Sequence, residues 1–413
     1  MQVLSSSDRK DILLLFTTRV IRLFCYGFLS VVLALYLIQV GLGERTVGLL
    51  FTLTLAGDAG ISLWLTTSAD RFGRKRTLIA GALLMIGAGV VFIFTRNPIA
   101  LAIAAIIGVI SPSGNEIGPF LSVEQAALTQ LLSDEKRTQT FAWYALAGSL
   151  ATATGALSGG WLAQGLQQNG FSTFNAYRVV LAGYALGGLI LIGLFLSLSK
   201  SVETFPVDKA KQQLFLGLHR SKSVVIRLSG LFAMDAFAGA LLVQSLLAYW
   251  FHVKYGVDTG VLGSIFFGAN ILAGLSALFA ARIARRFGLI NTMVFTHIPS
   301  NIFLILVPLM PNLPLAIGML LARFSISQMD VPTRQSYTMA VVAPDERSAA
   351  SGLTTIARSV GAALSPSLAG LLMAVPALFS VPFFLAGGLK IVYDFLMFKS
   401  FRGLKPPEEN GSR

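Results

Sequence analysis

The 413-residue chain is 54% hydrophobic and only 12% charged, with a net charge of +13. A soluble protein of that length needs far more charge to cover its surface, so a soluble globular fold is excluded. A single cysteine, Cys25, leaves no disulfide framework and no Cys-based metal site, and three scattered histidines, His219, His252 and His297, argue against a metalloenzyme.

The apolar residues come in blocks of about 20, the length that crosses a hydrocarbon core of roughly 30 Å, and lipid forces such blocks to be helical. They predict twelve spans, near 12–38, 46–67, 77–95, 99–131, 138–163, 178–198, 224–251, 259–281, 289–309, 315–342, 348–372 and 378–398. The first is too long for the apolar core of a signal peptide and lacks a small-residue cleavage site, so it reads as a span. The fold class expected is an all-α membrane protein of twelve transmembrane helices.

Basic residues alternate with the spans. Arg9, Lys10, Arg71 to Arg76, Lys136, Arg137, Lys200 to Lys222, Arg282 to Arg286, Arg347 and the tail fall on one side. Little more than Arg45, Arg96 and Lys254 falls on the other. That bias makes the basic side cytoplasmic, with both termini inside and the plasma (inner) membrane as the expected location. It also accounts for the net charge without a nucleic-acid partner.

The halves of the chain repeat each other. Val20-Ile21-Arg22-Leu23 returns as Val225-Ile226-Arg227-Leu228, and Ala69-Asp70-Arg71-Phe72-Gly73 as Ala284-Arg285-Arg286-Phe287-Gly288. Glu124-Gln125 is answered by Arg334-Gln335. Three matches in one order predict two six-helix bundles, residues 1–198 and 224–413, related by a pseudo-two-fold axis and joined by a cytoplasmic linker, 199–223.

Asp70-Arg71-Phe72-Gly73-Arg74-Lys75-Arg76, between spans two and three, resembles the loop signature of the major facilitator superfamily, with Thr66 in place of its leading glycine. Gly148 … Gly155-Ala156-Leu157-Ser158-Gly159-Gly160 in span five is similar in part to the glycine motif of that family's proton-linked exporters, with Ala156 where they carry proline. Span eleven supplies a proline in Ser365-Pro366-Ser367. The resemblance implies a transporter in which spans one, four, seven and ten line a central cavity. It also implies a cytoplasmic latch in which Asp70, in a loop with Arg71, Gly73 and Arg74, meets the start of span eleven near Ser348.

Ionisable residues at bilayer depth are costly and mark functional positions. Those in the spans are Arg19, Arg22, Asp58, Glu116, Glu124, Arg227, Asp235, Asp330, Arg334, Arg358, Lys390 and Asp394. Equal depth predicts two groups, Arg22 with Glu124, and Arg227 with Asp330 and Arg334. Pro332 is expected to distort the turn between the last two. Glu116, beside Asn115 in a Ser/Pro/Gly break, reads as a lone acid able to carry a proton, with Asp235 a second candidate. Tyr26 on span one completes the expected solute and proton pathway. Matching depths on spans two and eleven predict an Asp58–Arg358 gating bridge. Lys390 and Asp394, four residues apart, are expected to satisfy each other.

The function expected is a secondary active transporter, working as a monomer without a cofactor. It would export a small organic or amphipathic compound in exchange for protons. Uptake or exchange of an organic anion held by arginines is the alternative. A membrane sensor without transport is a remote one, since no soluble domain, nucleotide loop or nucleophile–base pair is visible.

Overall fold

A computed structural model of the protein describes residues 6–116, 118–132, 134–203, 218 and 220–404, except the side chains at 6, 66–71, 134–138, 344 and 348. The described residues form α-helices joined by short turns. They are α1 (Ser6–Ser30), α2 (Leu33–Gln39), α3 (Glu44–Phe72), α4 (Arg74–Phe94), α5 (Pro98–Ile107), α6 (Phe120–Leu131), α7 (Asp134–Gln168) and α8 (Thr173–Leu196). Then follow α9 (Lys222–Ala240), α10 (Gln244–Tyr255), α11 (Thr259–Phe287), α12 (Leu289–Leu306), α13 (Leu313–Phe324), α14 (Asp330–Val341), α15 (Arg347–Met373) and α16 (Val381–Phe401).

Among the described residues, nine helical stretches are long and apolar enough to cross a bilayer. The expected spans four, five and ten are not among them, for two reasons. Spans four and ten are each broken into two short helices, α5 and α6, and α13 and α14. Span five, α7, has 35 residues but is dominated by Ala, Gly, Ser and Thr. Spans one and seven are also interrupted, α1 giving way to α2 and α9 to α10. The four stretches expected to line a cavity are thus the four that break, and discontinuous helices are where transporters build their sites.

Contacts divide the chain into two compact units, Met1–Asp208 with Val243–Asn270, and Lys209–Leu242 with Ile271–Arg413. In the first, α1 packs along α7 and α4 along α8; in the second, α9 packs along α15 and α12 along α16. These are equivalent pairs in the two halves of the sequence.

The α1–α7 seam is backbone against backbone. A Cβ on Gly155 or Gly159 would lie 2.0 or 2.1 Å from the carbonyl oxygens of Phe24 or Phe28. In the second unit, a Cβ on Gly361 of α15 would meet the Ala233 oxygen of α9 at 2.2 Å. The glycines of span five therefore serve close helix packing, the usual way helices associate in lipid.

The breaks free backbone groups, and side chains of the first unit take them up. Ser245 donates its hydroxyl to the Ser30 and Pro112 carbonyls, 2.7 Å each, and its backbone N–H also reaches Pro112 at 3.0 Å. Thr152 donates to the Gly114 carbonyl at 3.3 Å, and Gln244 to the Ser30 hydroxyl at 2.7 Å.

Candidate functional site

Each unit encloses a cluster of charged side chains. In the first it stands where α1 meets the span-four break and α6. Arg22, fully buried, donates two hydrogen bonds to the Glu124 carboxylate, 2.8 and 2.7 Å long, and a third to Glu116 at 2.7 Å. Arg19, one turn earlier, holds the other Glu116 oxygen at 2.7 Å and donates to the Tyr144 carbonyl at 2.8 Å. Thr18 donates to Glu124 at 2.9 Å, and the Tyr144 hydroxyl donates to the same carboxylate. Both guanidinium groups lie over rings, Arg22 4.6 Å from the centre of Phe120 and Arg19 4.3 Å from that of Tyr144.

The expected Arg22–Glu124 pair is therefore present, and Arg19 joins it. Glu116 is not the lone acid that its surroundings in the sequence predicted. The stretch that follows α5, residues 108–116, carries it back to α1, where two arginines neutralise it. Asn115 beside it is exposed, its carbonyl accepting from Ser111 at 2.8 Å. Tyr26, fully buried, sits against the Tyr184 ring, 6.5 Å between centres.

In the second unit the cluster centres on Asp235 of α9. One of its carboxylate oxygens accepts from Lys390 at 2.5 Å, the other from Arg334 at 3.0 Å and Arg358 at 3.2 Å. Arg334 also bonds Asp330 at 2.9 Å. Pro332 distorts nothing, because α14 begins at Asp330 and the proline falls in its first turn, where no partner for an N–H is needed.

Two expectations are corrected here, the place of Arg227 and the pairing of Lys390 with Asp394. Arg227 is exposed on α9 and joins no ion pair among the described residues; Asp235 takes the place expected for it. The tetrapeptide repeat misleads about depth. α1 begins sixteen residues before Arg22, but α9 only five before Arg227. At about 1.5 Å per residue, Asp235 lies about 12 Å further into its helix.

Lys390 and Asp394 do not pair with each other. Asp394 accepts from His297 at 2.9 Å and from Asn301 at 3.3 Å, while Lys390 turns to Asp235. Asp58 and Arg358 each have partners inside their own unit: Asp58 accepts from the Gly118 N–H at 2.5 Å and from Ser62 at 3.1 Å, and Arg358 donates to Asp235.

Sequence reasoning missed His297, whose ring also lies 3.9 Å from Asp235, and Arg323 of α13. Arg323 has no acid within 4 Å among the described residues, and its Nε is buried without a hydrogen-bond partner. Its place in an apolar span was the available signal.

At the signature loop, Gly73 turns the chain with φ +95°. The Glu203 carboxylate then accepts from the first amides of α4, Arg74 at 2.7 Å and Lys75 at 3.2 Å. The Arg74 side chain reaches Gln130 at 2.8 Å and the Val202 carbonyl at 3.2 Å. A matching clamp in the second unit has Glu346 accepting from Arg220 and Ser221 at 2.7 and 2.8 Å. The side chains of Asp70, Arg71 and Ser348, on which the latch expectation rests, lie outside the described residues, as do His219 and linker residues 204–217.

The model of the Major Facilitator Superfamily matches residues 15–366 and 254–413. Uncharacterized membrane protein YJR124C of Saccharomyces cerevisiae is 30% identical over 429 residues, covering 96% of this chain and 95% of its own. Among solved structures, a D-xylose–proton symporter superposes with a TM-score of 0.74 at 15% identity, over 95% of this chain and 98% of its own. The nucleoside transporter NupG gives 0.73 at 15% identity, over 95% and 99%. A bacterial homologue of the human lysosomal transporter Spinster gives 0.71 at 16%, over 96% of each chain. At such identities these likenesses speak for the fold. With the family match, the helices and the charged interior, they identify the chain as a multi-pass integral membrane protein of the major facilitator superfamily, with that family's secondary-transporter fold.

Proposed function

We propose that the protein moves a small organic solute by alternating access of its two six-helix halves, in exchange for protons. In this reading it acts as a monomer in the plasma membrane with both termini cytoplasmic. The observation that carries it is the buried cluster at the span-four break, where Arg22 is shared between Glu116 and Glu124. Four charged groups gathered at a discontinuous helix inside a bilayer are costly to maintain, and such clusters mark solute and proton pathways. An arginine bonded to two acids can exchange one of them for a solute or another arrangement without losing all compensation.

Arg323 favours the second reading, transport of an organic anion. A guanidinium at bilayer depth with no acid within 4 Å among the described residues, and only Asp235 acting on it from further off, suits a carboxylate or phosphate on the solute, which it would hold by paired N–H donors.

Purified protein in vesicles loaded with a pH-sensitive dye tests both. Solutes of three kinds are added: lipophilic amines, neutral amphiphiles and small carboxylates. Release of protons from the vesicles on addition of one kind supports exchange and names its class. Solute movement that ignores an imposed pH gradient ends the proton-coupled reading, and carboxylate movement unaffected by Arg323→Gln ends the anion reading.

A further inference from the structure

Asp58, in the middle of α3, is an acid that the first unit leaves without a cation beside it among the described residues. Arg19 and Arg22 are matched by Glu116 and Glu124, two cations against two anions. No lysine, arginine or histidine nitrogen lies within 4 Å of Asp58 among the described residues. Its partners are the Gly118 N–H, 2.5 Å away, and the Ser62 hydroxyl. The titratable groups that bear on it, Glu116 and Tyr26, bring no positive charge.

The helices packed on α3 bring little more. α5 has no charged residue, α2 has Tyr36 alone, and α6 has Glu124, already bound to Arg22. α4 carries Arg74, Lys75 and Arg76 in its first turn, just past the end of α3 and so about 20 Å of helix from Asp58. An ionised carboxylate taken partly out of water costs free energy that these two hydrogen bonds offset only in part, with no cation beside it to add to them.

The Gly118 bond gives this charge a mechanical consequence. Gly118 has φ +80° and ends the break that carries Glu116 two residues earlier. A bond from an N–H to a charged acceptor is about twice as strong as one to a neutral acceptor. Discharging Asp58 therefore slackens the tether on the segment that presents Glu116 to Arg19 and Arg22.

We propose that Asp58 is the proton-binding acid of the first unit, and that its protonation loosens Gly118 and frees the span-four break to rearrange about Arg19 and Arg22. The proton moves between bulk water and one carboxylate oxygen, and no other bond changes. This rests on the proton-coupled reading above, with Asp58 in place of Glu116 as the carrier.

Infrared difference spectra of the whole protein in lipid vesicles, taken across a pH titration, read carboxyl protonation directly. The expected result is a carboxylic-acid carbonyl band that appears on acidification, disappears in Asp58→Asn and survives in Glu116→Gln. Asp58→Glu keeps the band at a shifted midpoint, which guards against loss by misfolding. Amide exchange at Gly118, corrected for the intrinsic rate, should be about fivefold faster in Asp58→Asn than in the unprotonated wild type. A band that persists in Asp58→Asn, one lost in Glu116→Gln, or none in the wild type overturns the proposal. If the band belongs to Asp58 but no solute moves protons across vesicles, the coupled reading fails and the site stands. If protons move with solute while the band is independent of Asp58, the reading stands and the site fails.

Discussion

Arg22 grips Glu124 through two parallel hydrogen bonds, 2.8 and 2.7 Å long, and neither side chain touches solvent. Lysine carries the same charge but cannot place donors on both carboxylate oxygens and on Glu116 as well. Arg22→Lys and Glu124→Ala should each lower stability by about 3–5 kcal/mol, the usual cost of breaking a buried pair from one side. Thermal unfolding in detergent, followed by intrinsic fluorescence, measures it; a midpoint unchanged from wild type would show that the pair contributes nothing to the fold.

Asp235 makes the complementary case, one acid among three cations. Asp235→Asn should leave Lys390 buried without its counter-ion and cost about 3–5 kcal/mol. Adding Lys390→Met removes that orphan charge, so the double variant should recover part of the loss. A double variant as unstable as the sum of the two singles would mean that the two residues are not coupled.

The backbone seam between α1 and α7 tolerates no side chain. Gly155→Leu should cost at least about 1–3 kcal/mol and reduce the yield of monodisperse protein, because its branch would enter the space of the Phe24 carbonyl. Gly165→Ala on the same helix meets nothing within 4 Å and should stabilise by up to about 1 kcal/mol. Size-exclusion profiles and melting midpoints of the two variants separate a seam effect from a general effect of altering α7.

Glu203 clamps the start of α4 by its carboxylate. Glu203→Ala leaves the Arg74 and Lys75 amides without that acceptor, and loss of such a cap costs about 1 kcal/mol. Amide exchange at those two positions should then rise roughly fivefold while the α4 interior is unchanged. Equal exchange in both proteins would assign the clamp no role in holding the loop.

How much of this could be read from the sequence depended on the reach of each signal. Arg22 and Glu124 were paired correctly because depth, counted from the cytoplasmic loops, is conserved along a helix. The same counting failed for Arg227, whose helix starts late, so that Asp235 occupies the interior position. Lys390 and Asp394 satisfied the spacing rule for neighbours on one helix, yet Asp235 and His297, on other helices, offered both of them a better partner. His297 was invisible because its partner is 97 residues away and a lone histidine carries no pattern. The breaks in spans four and ten were half legible: Ser111-Pro112-Ser113-Gly114 announced one, but nothing in 325–329 announced the other.

The pairing of Arg19 and Arg22 also sets a problem of timing during synthesis. Both lie on α1, which is synthesised before the acids that neutralise them, and those follow 94 to 102 residues later. At about 5–20 residues per second, that is a wait of roughly 5–20 s. For that interval the nascent α1 carries two uncompensated guanidinium groups, each penalised by about 3 kcal/mol at the centre of an isolated helix. It is therefore a poor anchor by itself, and must be sheltered by the insertion machinery until α6 arrives. Assembly of the first unit is thus a retention step followed by a capture step, with the ion pairs formed at capture.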